Sequence, residues 1–196
     1  MKTVKSFIRH TFLDVRSSSR TKVLHEAVLN ELIAQHPKLN KIEWVHEYRL
    51  NEDGYGGTFD MDIAGFNSKG ELVYALLIKA PNSNINKNIK NLANTTVGEC
   101  ARLADAPNIN LRRIWFVTIM PNKAPRFNKN GVVVGIDNVV NAKAKTNITK
   151  TVKRFGDNVE LVEATFDIHN IDAKRTVDDF ADITIKNYKK LNFVGA

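Results

Sequence analysis

The segment 71–79, ELVYALLIK, sets seven consecutive apolar residues, Leu72 to Ile78, between a glutamate and a lysine. A strand with one wet face alternates polar and apolar residues, so a strand without alternation has to be covered on both faces. This chain is therefore expected to fold in layers, with segment 71–79 as a central strand. Asn67-Ser68-Lys69-Gly70 before it reads as a hairpin turn, and Pro81 stops it. As a membrane span the run is far too short, since a helix needs about 20 apolar residues to cross a bilayer.

The other elements take their places around that strand. Residues 21–36 carry Val23, Leu24, Ala27, Val28 and Leu32 at helical spacing, with Pro37 as a stop. Residues 42–50 (IEWVHEYRL) and 58–66 (TFDMDIAGF) read as strands separated by the turn-forming NEDGYGG. A long helix is expected at about 85–104, and a buried strand at 113–120 (RIWFVTIM) ended by Pro121. Beyond it the sequence predicts a loop over 122–131, a short strand at 132–136, a basic helix at about 139–155, a strand at 159–166 and a final helix over 177–191. The order implies a mixed central β-sheet flanked by helices, of α/β (α+β) class. At 196 residues one domain is expected, with a core over about 21–120 and a C-terminal α/β extension over 121–196.

Charge points to the kind of partner. Lysine and arginine number 29 against 21 acidic residues, a formal net charge of +8, which favours a polyanion, nucleic acid first. The single cysteine, Cys100, excludes a disulfide framework and a multi-cysteine zinc site. The histidines at 10, 25, 36, 46 and 169 lack zinc spacing. No apolar stretch follows the N-terminal Lys2, Lys5 and Arg9, so no signal peptide and no membrane association are expected, and the cytoplasm is the expected compartment.

Asp60 and Asp62 lie two apart on the second strand and should leave the same face. A turn centred on Ser68 and Lys69 would set Asp62 near Ala75 and Leu77 near Asp60, with Lys79 one step further on that face. Carboxylates gathered on a buried sheet repel one another and need a cation, and Mg²⁺ suits oxygen ligands. A lysine in that position can also be an ordinary solvated strand end. On the following helix, Ile85, Ile89, Leu92, Thr96, Glu99 and Leu103 share one stripe, which leaves Glu99 among apolar residues. A carboxylate there needs a cation or donors; alternatively it is a boundary residue paired with Arg102 or Lys90.

The run FDMDIAGFNSKGELVYALLIKAP resembles the active-site hairpin of the PD-(D/E)XK nuclease superfamily, most closely its type II restriction endonucleases. Asp62 takes the first position, Ile78-Lys79 closes the motif, and the gap from 62 to 77 is 15 residues. The helix-strand-strand-strand-helix-strand order over about 21–120 is similar to the family's core. One departure stands out: the (D/E) position is Leu77. The resemblance implies that Asp62, Lys79 and a relocated Glu99 form the catalytic set. Asp62, Glu99 and the Ile78 carbonyl would hold Mg²⁺, with Mn²⁺ as a substitute. Asp60 and Glu47 stand in reserve as ligands, and Glu26 as an acid from the first helix. The implied partner is double-stranded DNA cut by a homodimer in a prokaryotic or phage-infected cell. A phage or mobile-element nicking or recombination nuclease, or an inactive DNA-binding module, is the alternative. Backbone contacts are expected from Asn82, Ser83, Asn84, Lys87, Lys90, Arg102, Lys150, Lys153 and Arg154, with Lys143, Lys145, Arg112 and Arg113 as further cations. An RNA-binding reading lacks an aromatic stacking platform, and Cys100 lacks a partner histidine for nucleophilic work.

Overall fold

A computed structural model describes residues 3–13, 19–107, 109–138, 149–150, 152–176 and 182–194. Helices α1 (Val4–Leu13) and α2 (Ser19–Gln35) precede three strands, β1 (Glu43–Leu50), β2 (Phe59–Phe66) and β3 (Leu72–Lys79). Then come α3 (Ile85–Ala104), β4 (Arg113–Pro121), β5 (Lys123–Phe127), β6 (Val133–Asn138), β7 (Val159–His169) and β8 (Thr184–Lys189). Six strands form one mixed sheet in the order β1-β2-β3-β4-β7-β8, and β5 with β6 forms a separate two-stranded ribbon. The pairs β3–β4 and β4–β7 are parallel, whereas β1–β2, β2–β3 and β7–β8 are antiparallel.

The apolar run behaves as expected. Residues 72 to 78 of β3 are all buried, and from Tyr74 onward they alternate between two cores. Tyr74, Leu76 and Ile78 pack with Trp115 and Val117 beneath α1 and α2, through Phe7, Leu24 and Val28. Ala75 and Leu77 pack with Ile114 and Phe116 beneath α3, through Cys100 and Leu103. Each such buried side chain contributes roughly 1.5–3 kcal/mol of transfer free energy, so this strand has one face for each helix layer.

Several expectations are corrected. The hairpin register differs by two residues: Ala75 opposes Ala64, not Asp62, and Leu76 opposes Ile63. The turn is wider than two residues because the Asn67 carboxamide oxygen accepts the amides of both Lys69 and Glu71, and a bulge follows at Gly65/Phe66. A two-residue slip preserves side-chain parity. The expected loop over 122–131 contains β5, disguised by Pro125, which a ribbon edge tolerates. The final helix over 177–191 is not formed; β8 lies within that range, with Ile185 and Tyr188 half-buried against β7, and 177–181 lie outside the described residues. Of the basic helix expected at 139–155, residues 139–148 and 151 lie outside the described residues, and the segment ends as a 3₁₀ turn at Lys153–Phe155. Two of the sheet's six strands, β7 and β8, come from beyond Met120. Residues 191–193 bind back to the end of α2: the Gln35 amide donates to the Leu191 carbonyl, the His36 ring meets the Phe193 carbonyl at 2.9 Å, and the Phe193 amide donates to Gln35.

The loop between β1 and β2 is tied to the end of α3. The Gly54 amide donates to the Arg102 carbonyl, and a Cβ at position 54 would lie 2.4 Å from the Asp105 Cβ. Gly54→Ala should therefore lower stability by about 1–3 kcal/mol, as overpacking does, read as an earlier midpoint in urea unfolding. An unchanged midpoint would mean that the loop and helix separate freely.

Candidate active site

The regular sheet fails at one place, and the candidate residues gather there. Glu47 in β1 adopts φ 53, and the β1–β2 ladder runs from His46↔Ile63 to Tyr48↔Met61 without a Glu47–Asp62 step. Met61 packs in the α3-side core while Ile63, two residues on, packs in the other, so β2 turns through Asp62. The β2–β3 ladder stops at Ile63↔Leu76. Past that point the Ile78 amide has no β2 carbonyl, and the Asp62 carboxylate takes it instead at 2.5 Å. Strand residues present their N–H and C=O on the same edge, so the Ile78 carbonyl also faces the Asp62 side.

Lys79 ends β3 beside this gap. Its ammonium donates to Glu99 Oε1 at 2.8 Å, and both side chains are largely buried. The alternative pairing of Glu99 with Arg102 is not found, since Arg102 meets Asp53 at 3.2 Å; the alternative with Lys90 falls on a side chain outside the described residues. Burial pushes the Glu99 carboxyl above the usual carboxylate range; Lys79 pulls it back in part, and the charge of Asp62 adds to the rise. Glu99 Oε2 is buried and has no hydrogen-bond partner.

His25, for which the sequence suggests no role beyond the absence of zinc spacing, belongs to this site. It projects from α2, is 3% exposed, and stands with Nε2 3.7 Å from Asp62 Oδ1. That exceeds hydrogen-bond length. Its Nδ1 is buried without a partner. Burial lowers the imidazole pKa more than Asp62 raises it, so the ring is neutral at ordinary pH. It lines a cavity of about 120 Å³ with Thr21, Leu24, Ile78 and Asn82. Thr118, opposite Lys79 across the β3–β4 pair, likewise has a buried hydroxyl without a partner. A histidine on an apolar helix stripe and a threonine in a buried strand carry no sequence signal that separates them from core.

Other expected residues are not brought together here. Asp60 is held bidentately by Arg49 at 2.6 and 2.9 Å on an exposed surface, and those bonds hold its carboxyl below the usual range. Glu47 and Glu26 are exposed, although the charge of Glu47 reaches His25. Asn84 is turned away from any ligand: its amide donates to the Pro125 carbonyl, and its side-chain oxygen accepts the Phe127 amide, so it clamps the β5–β6 ribbon. Arg112, Arg113, Lys150, Lys153 and Arg154 lie where β4 and β7 begin, about 16 Å along the strands from the level of Lys79 at ~3.3 Å per residue. Lys143 and Lys145 lie outside the described residues. Lys87 is exposed on the first turn of α3. Burial and the neighbouring Glu99 charge push the Cys100 thiol up to about 12, which removes it as a nucleophile.

Among the described residues no three His, Cys, Asp or Glu side chains are grouped as ligands of one ion. The donors that do converge are two carboxylates, Asp62 and Glu99, with a main-chain carbonyl. Oxygen donors of this kind suit Mg²⁺ better than zinc. The orphaned Glu99 Oε2 fits this best, because Oε1 can stay with Lys79 while Oε2 meets a cation. A cavity of about 660 Å³ lies at the far end of the sheet around Tyr48, Phe66 and Arg112 and has no part in this cluster. No helix among the described residues is long and apolar enough to cross a membrane.

No protein-family model and no curated protein matches the chain. Among solved structures, that of Pyrococcus furiosus SfsA in complex with Ca²⁺ is similar over 88% of this chain and 64% of that one, at 13% identity and a TM-score of 0.32. The chain thus spans less than two thirds of that protein, and a likeness at this level decides neither fold nor function.

Because the folded pKa of Glu99 lies above its unfolded value, ionising it costs stability. That cost is absent below the ordinary carboxylate range and is reached in full as pH rises through the raised value. Glu99→Gln should therefore be more resistant to urea than wild type at pH 8, with the advantage shrinking toward pH 4. An advantage independent of pH would place its origin elsewhere.

Proposed function

We propose that this chain is a Mg²⁺-dependent endodeoxyribonuclease of the PD-(D/E)XK type, acting as a homodimeric, site-specific restriction endonuclease on double-stranded DNA, with Mn²⁺ able to substitute. The observation that carries the proposal is the junction of β2, β3 and α3. Lys79 ends the buried central strand 2.8 Å from Glu99, and the Asp62 carboxylate occupies the gap where β2 leaves β3. Asp62, Glu99 and the Ile78 carbonyl would hold the metal. When bound, Mg²⁺ supplies Lewis-acid polarisation of the phosphoryl group.

The protein's own groups do the rest. Lys79 donates to the phosphate oxygen on which charge develops and orients the attacking water. Glu99 keeps that ammonium in place. The Ile78 amide fixes Asp62, and the neutral His25 covers the side of the carboxylate facing α2. Attack by water forms the new P–O bond and expels the 3′ oxygen, leaving a 5′-phosphate and a 3′-hydroxyl. A nicking or recombination nuclease of phage or mobile-element origin would use the same residues.

Leu77 favours a second reading. It is 1% exposed and packed beneath α3 where the family motif has an acid, as in a DNA-binding module that has lost its chemistry.

Cleavage of plasmid and phage DNA by wild type, Asp62→Ala, Lys79→Met and Glu99→Ala, with Mg²⁺ and with EDTA, tests both readings. The nuclease should give discrete Mg²⁺-dependent fragments, with Lys79→Met slower by about 10²–10³-fold and both carboxylate variants inactive. Retained activity in Glu99→Ala would remove the relocated acid. DNA binding without cleavage by any form would leave the binding module.

A further inference from the structure

The β5–β6 ribbon is left over once the site has been described. It leaves the sheet after β4 has passed the level of Lys79, since Thr118 pairs with Lys79 and the ribbon begins at Lys123. Asn84 clamps it to the loop that follows the active-site strand, through the Pro125 carbonyl and the Phe127 amide. Asn84 is five steps along the chain from Lys79, so the part of the ribbon around Pro125 and Phe127 lies within ~17 Å of the lysine. That span equals about five base-pair steps at ~3.4 Å each.

The exposed surface of the ribbon is uneven in chemistry. Val134 and Ile136 are 50% and 44% exposed, two of only a few large apolar side chains so open to solvent among the described residues. Around them, Lys123, Arg126 and Lys129 are exposed; Asp137 is largely buried beside Arg126, and Asp167 at the foot of the ribbon feels the charge of Lys123. The tip is held rigid by Asn128, whose side-chain oxygen accepts the amides of Asn130 and Val132. A pre-organised two-stranded ribbon with a basic border and an uncovered apolar centre suits a polyanion that also has an apolar surface.

We infer that this ribbon enters the major groove of duplex DNA, with Lys123 and Lys129 on flanking phosphates and Val134 and Ile136 against the base edges. The major groove admits a two-stranded ribbon, and thymine methyl groups there offer apolar contacts. The inference rests on the nuclease reading for the identity of the polyanion. It adds the element that sets where along the duplex Lys79 meets a phosphate.

The test is equilibrium binding of a fluorescent duplex as a function of salt, with Ca²⁺ replacing Mg²⁺. Lys123→Ala with Lys129→Ala should reduce the slope of log K against log [salt] by about 2, close to one per lost phosphate contact. Lys69→Ala, on the β2–β3 turn at the other end of β3, should leave the slope unchanged. Val134→Ser with Ile136→Ser should keep the slope and lose preference among duplexes of different sequence. All these side chains are exposed, so the variants should fold; circular dichroism checks this. An unaltered slope in the lysine variant, or a wild type that binds no duplex, overturns the inference. So does a change in sedimentation of the Val134/Ile136 variant without DNA, which would assign the patch to a second copy of the chain. Cleavage by a protein whose ribbon variants behave as wild type sinks the ribbon alone; ribbon-dependent binding without cleavage sinks the nuclease alone.

Discussion

The structure of the site depends on one hydrogen bond, from the Ile78 amide to the Asp62 carboxylate. A buried strand amide has to find an acceptor. Because β2 joins β3 only from Ile63 onward, no backbone carbonyl is left for this one. The carboxylate that fills the gap is held to the central strand, so its position relative to Lys79 is set by the sheet and not by a flexible side chain. The left-handed Glu47 on β1 belongs to the same distortion, because it lets β1 follow β2 around the bend. Positive φ at a non-glycine residue costs of order 1 kcal/mol or more and persists where surrounding structure enforces it.

On the other side of Lys79, α3 contributes a charge that burial opposes. Glu99 is kept near the lysine at the expense of its own ionisation, and one of its oxygens stays unsatisfied. An unpaired acceptor in a nearly dry setting is destabilising unless something else meets it. The site thus has the character of a place where stability has been given up locally, while the apolar layers on both faces of β3 supply it elsewhere.

How much of this was legible follows from which signals are local. The unbroken apolar run of β3, the position of Lys79, and the placement of Glu99 on the inner stripe of α3 are pattern features, and they survive in the fold. Asp62 was identified, but its register was not: the Asn67 side chain and the bulge at Gly65/Phe66 widen the hairpin, and neither has a fixed sequence signature. Asp60 looked equivalent to Asp62 by spacing, yet the turn in β2 separates them and Arg49 takes Asp60. Pro125 hid β5. The residues 184–189 formed a strand where helical spacing had been read, because the edge of β7 offered an unfilled ladder, a tertiary factor that propensity does not contain. His25 was hidden most thoroughly, since its packing resembles that of any core residue.

The tie between the end of α2 and residues 191–193 bears on the order in which the molecule comes together during synthesis. These contacts join positions 156 to 158 apart in sequence, whereas the β2–β3 hairpin closes over a few residues. Long closures form late, and a chain emerging from the ribosome cannot form these until residues 191–193 are free. The hairpin bearing Asp62 and Lys79 can therefore assemble early, while the end of α2, the helix that brings His25 to Asp62, gains these ties only later. A chain short of residue 191 has the strands of the site without the bonds that fasten the end of that helix.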